Sequence, residues 1–544
     1  MKGSISKRCQ HNSDDLWEMV ALISTLEYFG GEQLQLFPAL CFEDVRLFSE
    51  AILRSRASNS RHRIYSPKDV IYVLNNARDG LRDAELESIE SGRERQTMLL
   101  ELNKILSRRG SLQLEVQRSS AAKAGRAVAF FDVIPRELAE TSGPKSDRIQ
   151  TIYSQIQAFL GCSVTDMLKV LFLISALHKN AYRRELHLLD GVRIPQASPP
   201  KTRTSAVLEA ILANRKAIAE SVVFTAGSLI KAAPFRVETH VLDTVLALWS
   251  RGTDELRHLM EEQAFQAGVD CWHLSPLHRY PIVRLEGSPP RYAVPNLRLL
   301  LHSVFAVLDY SLLEVLPADE YNAFRGAVLE EYLFRLMTWA FPAEQLIHER
   351  EYRPSTKELW KGPDVTFADL EAGTLIVVEA KARRIGPRTR FRTDDESLDR
   401  NLEDVHGALV RLPDKITHLR AGLSAYVDFQ PMVDATKDTD PILVCVLPEA
   451  IYFLTQIERE RGSCSSEHPL FELGHRYCIM SLEDFEFAIA CARHNGETLS
   501  AVLGDFWEDA GCLELNTSAA DLFRGRRVPL GGMFGEQYLR GIFG

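Results

Sequence analysis

Between Thr374 and Lys381 the chain reads Thr-Leu-Ile-Val-Val-Glu-Ala-Lys, and a Pro363-Asp364 turn stands just upstream. The β-branched run predicts a strand. An ordinary buried strand ends in a turn residue, whereas this one ends in an acid and a base two positions apart. With the strand period of two, Glu379 and Lys381 point to the same face. Asp364, on a neighbouring strand, can bring a second carboxylate to that strand end. Two carboxylates and a backbone carbonyl, that of Ala380, make a hard oxygen site suited to Mg²⁺ or Mn²⁺. A metal there lowers the pKa of a bound water and polarises a phosphoryl oxygen. The lysine can orient the attacking water or offset charge building on the phosphate.

The chain around this stretch changes its pattern once. Up to about residue 278 the apolar spacings of three and four predict helices, at about Asp14–Phe29, Asp83–Arg108, from the Ser163-Val-Thr-Asp166 cap to Asn180, and at Thr204–Val222. Ser66-Pro67-Lys68-Asp69 reads as a capping box with proline at the first helical position. The proline-bearing stretch Gly191–Thr204 reads as a loop or boundary. From residue 279 strands appear. Tyr280–Glu286 and Arg291–Val294 predict a hairpin. Helices follow at about Asn296–Val315 and Ala318–Ala340, then strands at Leu346–Tyr352, around Asp364 and at Thr374–Ala380. A helix at Leu398–Leu423, strands at Pro441–Leu447 and Arg476–Met480, and a helix capped by Ser481 complete the series. The expected organisation is a mainly helical region 1–278 for recognition or oligomerisation, a hairpin and connecting helix 279–310, an α/β (α+β) domain 311–500, and a C-terminal helix and tail 501–544. The role of the final Leu530-Gly-Gly-Met-Phe-Gly segment stays open.

The residues Pro363-Asp364 and Glu379-Ala380-Lys381 resemble the active-site motif of the PD-(D/E)xK, restriction-endonuclease-like nuclease superfamily. The order helix, three strands, helix, strand is similar to that family's αβββαβ core with its mixed central sheet, over roughly residues 311–495. The resemblance implies that Asp364 and Glu379 bind the metal and Lys381 assists catalysis. It also implies a glutamate from the first core helix. There, Gly326-Ala-Val-Leu-Glu330-Glu331-Tyr332 is similar to the GxxFExY pattern of bacterial restriction-like nucleases and points to Glu330 over Glu331. Relatives often carry a Gln or Lys on the helix after the third strand. Here that helix has no Gln between Leu402 and Leu419, and His406 and Lys415 are its polar candidates. Of 16 lysines, only Lys381 has an acid two residues before it, so the triplet is not a product of abundance.

The stretch Lys381–Arg392 holds six basic residues and no acid. Arg383, Arg384, Arg388, Arg390 and Arg392 are candidates to grip phosphates beside the strand. They matter because the whole chain is acidic, with a net charge of -10, which argues against coating nucleic acid by bulk charge. The expected activity is a Mg²⁺-dependent endonuclease acting on double-stranded DNA, within a bacterial defence system of restriction type. The alternatives are an RNA-directed nuclease and a nuclease-like scaffold without catalysis. A homo-oligomer and a partner protein that supplies ATPase or sensing are compatible with this reading. No Gly-Lys dipeptide occurs, so the chain has no Walker A loop of its own. HExxH and GxSxG are absent too. Nine scattered cysteines without a CxxC fit reduced thiols. The longest oily stretch, Met167–Leu177, falls short of the roughly 20 residues of a membrane helix. Together these predict a cytoplasmic protein that is not membrane-bound.

Overall fold

A computed structural model of the chain describes residues 113–141, 143–189, 223–252, 254–256, 258–259, 279–285, 287–294, 300–301, 303–354, 359–382, 395–422, 424–448, 470, 474–509, 526, 528–529 and 532–540. The helices expected at Asp14–Phe29, Asp83–Arg108 and Thr204–Val222, the Ser66–Asp69 cap and the loop at 191–204 lie outside these residues or almost wholly so. In chain order the fold comprises α1 (Gln113–Val128), α2 (Ile134–Ala139), α3 (Pro144–Leu160), α4 (Val164–Leu189), α5 (Ala226–Ala232), α6 (Thr239–Trp249), β1 (Ser250–Gly252), β2 (Ile282–Leu285), β3 (Arg291–Ala293), α7 (Val304–Val315) and α8 (Ala318–Ala340). There follow β4 (Leu346–His348), β5 (Glu351–Tyr352), β6 (Trp360–Lys361), β7 (Val365–Asp369), β8 (Thr374–Ala380), α9 (Asp395–Arg420), α10 (Gln430–Ala435), β9 (Ile442–Leu447), β10 (Arg476–Ser481), α11 (Leu482–Asn495) and α12 (Leu499–Asp509). The protein is thus mixed helix and sheet.

The chain divides into two compact units, one of residues 1–120 and 160–311, the other of 121–159 and 312–544. The first contains α4 to α6 and a three-stranded sheet. In it β1 runs parallel to β2, and β2 pairs antiparallel with β3 in the expected hairpin. Ser163 caps α4 by accepting the Asp166 N–H at 3.0 Å, and the helix continues to Leu189, past the expected Asn180. A stretch at 145–177 is long and apolar enough, by length and composition, to cross a membrane, but half of its apolar window is buried in the fold. Gly161 (φ +63°) breaks it between α3 and α4, a conformation that glycine adopts without strain.

The second unit is built on a five-stranded sheet in the order β10-β9-β8-β7-β4. β4, β7 and β8 form an antiparallel meander, and β9 and β10 add in parallel after α9. β7 and β8 are buried along their whole length, which explains why Leu375–Val378 of β8 is a continuous apolar run instead of alternating. Leu402, Val405, Leu409, Leu412, Ile416 and Leu419 of α9 pack on one face, against Leu375, Val377, Leu443 and Cys445. α8 lies against β4, β7 and β8, and α11 against β9 and β10. The sequence-predicted strand Leu346–Tyr352 is in fact two strands. Glu349 still donates to the Asp364 carbonyl (3.0 Å) in line with β4. Arg350 is then drawn off by Asp428 (2.6 and 2.8 Å) and the Ala425 carbonyl (2.7 Å), and β5 pairs with β6 as a separate ribbon.

Residues 121–159, expected to belong to the region 1–278, join the second unit. The reason is a buried ion pair: Arg126 of α1 reaches Glu486 of α11 at 3.3 Å. Glu486 also accepts from the Tyr332 hydroxyl of α8 (3.0 Å) and the Gly535 N–H (2.7 Å). Gly535 belongs to the C-terminal segment whose role the sequence leaves open. It is docked: Met533 and Phe534 are buried, and the Phe534 ring meets Tyr332 with centroids 5.2 Å apart. A methyl group at Gly125 would collide with the Gly535 carbonyl, so two glycines let these backbones touch.

Candidate active site

The ladder between β7 and β8 sets the geometry. Val365 pairs with Val378, so one step further lays Asp364 opposite Glu379. Directly opposed residues share a face. That face is the one carrying Val377 and Leu375 toward α9. The Ala380 N–H donates to Asp364 Oδ2 at 2.6 Å, fixing that carboxylate at the sheet end. Among the described residues Oδ1 takes no hydrogen bond. One more step lays Ala380 opposite Pro363, which has no N–H to offer the Ala380 carbonyl.

Both carboxylates are buried, Asp364 to 5% exposure and Glu379 to 7%. Burial first, then the charges of Glu379 and Glu330, push Asp364 up to about 8, against the pull of the Ala380 N–H and Lys381. Glu379 is clasped by two ammonium groups. Lys381 Nζ donates to Oε1 at 2.9 Å and Lys415 Nζ to Oε2 at 2.9 Å. Burial alone would lower Lys381, but Glu379 and, behind it, Asp364 outweigh this and hold it above its ordinary value.

Lys415 also donates to the Gly362 carbonyl at 3.1 Å, tying α9 to the residue before Pro363. A Cβ on Gly362 would run into the Tyr426 hydroxyl, so glycine is required for this close approach. Lys415 was one of two polar candidates on α9, and the structure brings it to the site. The other, His406, is buried. A signal was present: Lys415 falls three residues after Leu412 and four before Leu419, within the helix's apolar stripe.

Glu330 and Glu331 part ways. Glu330 acts electrostatically on Asp364 and is held by Lys145 Nζ at 3.1 Å. Glu331 turns to Arg335, 2.7 Å away, which also reaches Glu137 at 2.5 Å. His348 lies nearby on β4, stacked on Phe334 at 4.5 Å, with Nε2 buried and without a hydrogen-bond partner among the described residues. Burial lowers its pKa below the ordinary value. Cys445 sits beside Glu379 on β9, and burial pushes its thiol far up, so it is no nucleophile there. Arg383, Arg384, Arg388, Arg390 and Arg392 lie outside the described residues.

The described residues contain no cluster of three or more His, Cys, Asp or Glu groups able to hold a metal. The available donors at the strand end are Asp364, Glu379 and the Ala380 carbonyl. This set fits Mg²⁺ or Mn²⁺, since Mg²⁺ keeps several waters and takes only one or two carboxylates alongside substrate phosphates. The first unit has a cleft walled by Arg251, Arg284, Asp243 and Tyr292. Its arginines are already engaged, Arg284 with Glu255 (3.1 Å) and Arg251 with the Ala247 and Ser250 carbonyls and the Tyr280 ring. Comparison with protein families, with curated proteins and with solved structures finds no match for this chain.

Proposed function

We propose that the second unit is a metal-dependent nuclease of the PD-(D/E)xK type that hydrolyses phosphodiester bonds, with DNA as its substrate. The observation that carries this reading is the pairing of Asp364 with Glu379 across neighbouring strands, with Lys381 on the same face. Like charges buried opposite each other weaken a sheet unless a cation or proton offsets them. Such perturbed groups cluster at functional sites. The order α8, three-stranded meander, α9 and parallel β9 supports it further, being the order of that superfamily's core.

Asp364, Glu379 and the Ala380 carbonyl would hold Mg²⁺ or Mn²⁺, whose contribution when bound is to acidify a water and polarise the phosphoryl group. The protein's own residues do the rest. The Ala380 N–H fixes the Asp364 carboxylate. Lys381 and Lys415 hold Glu379 in place and present positive charge where the phosphorane gains negative charge. Glu330, on α8, acts on Asp364 through its charge and would orient a water. The test is cleavage of supercoiled plasmid, linear duplex and RNA in Mg²⁺ and in EDTA. Duplex cleavage should require Mg²⁺ and vanish in Asp364→Ala and Glu379→Ala proteins that still fold, as judged by circular dichroism. RNA cut in preference to duplex would move the substrate. Folded wild-type protein that cuts nothing would sink the reading.

A further inference from the structure

Resting on the nuclease reading, we infer that Lys145 is a substrate-binding residue, released from Glu330 toward a backbone phosphate when a divalent cation enters the site. Three ammonium groups serve three carboxylates in this structure. Lys381 and Lys415 clasp Glu379, Lys145 holds Glu330 at 3.1 Å, and the charges of Glu379 and Glu330 both act on Asp364. When all are ionised the charges cancel. A divalent cation among the carboxylates then leaves two positive charges in excess, which two phosphates of a nucleic-acid strand would neutralise.

The three lysines are not equally able to respond. The side chains of Lys381 and Lys415 are 24% and 13% exposed, and Lys415 is doubly anchored through the Gly362 carbonyl. The Lys145 side chain is 62% exposed and Glu330 is its one partner among the described residues. An exposed ion pair of this kind is weak, so a phosphate can compete for the ammonium group. Lys145 stands at the start of α3, 185 residues before Glu330, and belongs to the 121–159 segment that completes the second unit. That segment would thereby supply part of the substrate-binding wall.

Fluorescence anisotropy of a labelled duplex, titrated with the full chain, reads this without catalysis. Ca²⁺ serves as the cation, since it supports binding with poor cleavage. In Ca²⁺, Lys145→Ala should bind several-fold more weakly than wild type and lose about 0.9 from the slope of log K against log salt. Lys145→Arg should retain both. In EDTA, wild type and Lys145→Ala should bind alike, because Lys145 is held by Glu330. Glu330→Gln should raise affinity in EDTA when Lys145 is present and by less in the Lys145→Ala background. An equal loss for Lys145→Ala in Ca²⁺ and EDTA, or no loss in either, overturns the inference while wild-type binding and cleavage keep the nuclease reading. Wild type that neither binds nor cuts nucleic acid removes both.

Discussion

Two buried acid clusters flank α8, and they are built on opposite principles. Glu486 is fully enclosed and fully served, by Arg126, the Tyr332 hydroxyl and the Gly535 N–H. Burial on its own would lower Arg126, but Glu486 and Glu483 outweigh it and keep the guanidinium above its ordinary value. At the other cluster, Asp364 and Glu379 oppose each other with one backbone N–H and two lysines between them. The first holds four remote pieces of chain together, α1, α8, α11 and the Gly535 segment. In the second, both lysine ammonium groups bond Glu379, and Asp364 receives the Ala380 N–H. A buried carboxylate that is fully paired, like Glu486, is a structural device; the opposed pair at the sheet end is the one on which the proposed function rests.

The comparison breaks most readily at Glu486. Arg126→Met leaves that carboxylate buried without a cation and should destabilise the second unit by about 3–5 kcal/mol, seen as a lower urea midpoint. Replacing Glu486 by Met as well should recover most of the loss. A single variant as stable as wild type would mean that the cluster does not bear the load assigned to it.

Asp364→Asn should do the reverse and stabilise the protein in EDTA. Asp364 titrates near 8 in the folded chain and near 4 unfolded, so the folded state keeps the proton longer. Its contribution is intact below about pH 4 and is lost as pH rises toward 8. The melting-temperature gain of Asp364→Asn should thus be small at pH 5 and grow to pH 8, worth a few kcal/mol there. A gain independent of pH would show that charge is not the cause. Lys415→Met takes one of two ammonium groups from Glu379 and should cost about 1.5–3 kcal/mol of stability, together with cleavage. Stability unchanged would mean Lys381 suffices. The smallest effect belongs to Glu331→Gln. Its pair with Arg335 is partly exposed, so the change should cost at most about 1 kcal/mol and leave cleavage intact, whereas Glu330→Gln should lower cleavage.

Much of the second unit was legible because its signals are local. Ala318–Ala340 and Thr374–Ala380 form over the residues predicted, and the period of two put Glu379 and Lys381 on one face. Ser481 caps α11, accepting the Asp484 N–H as its spacing suggested. What failed to show depends on distance along the chain. Nothing near Arg126 points to Glu486, and nothing near Lys145 points to Glu330. The break after His348 was hidden for the same reason, since Arg350 leaves the strand to meet Asp428, 78 residues on. Lys415 is the intermediate case: its helical phase was readable, but which face of the sheet α9 covers was not.

The contact of Gly125 and Arg126 with Gly535 and Glu486 has a kinetic consequence. Arg126 is made 360 residues before Glu486. At ribosomal speeds of about 5–20 residues per second, that interval is roughly 20–70 s. Until α8 and the strands from β4 onward are made, the apolar sides of α1 and α2 lack those partners, while residues 160–311 are synthesised in between. The nascent chain therefore carries an unfinished domain through most of its translation, and the Arg126–Glu486 contact closes only once α11 has emerged.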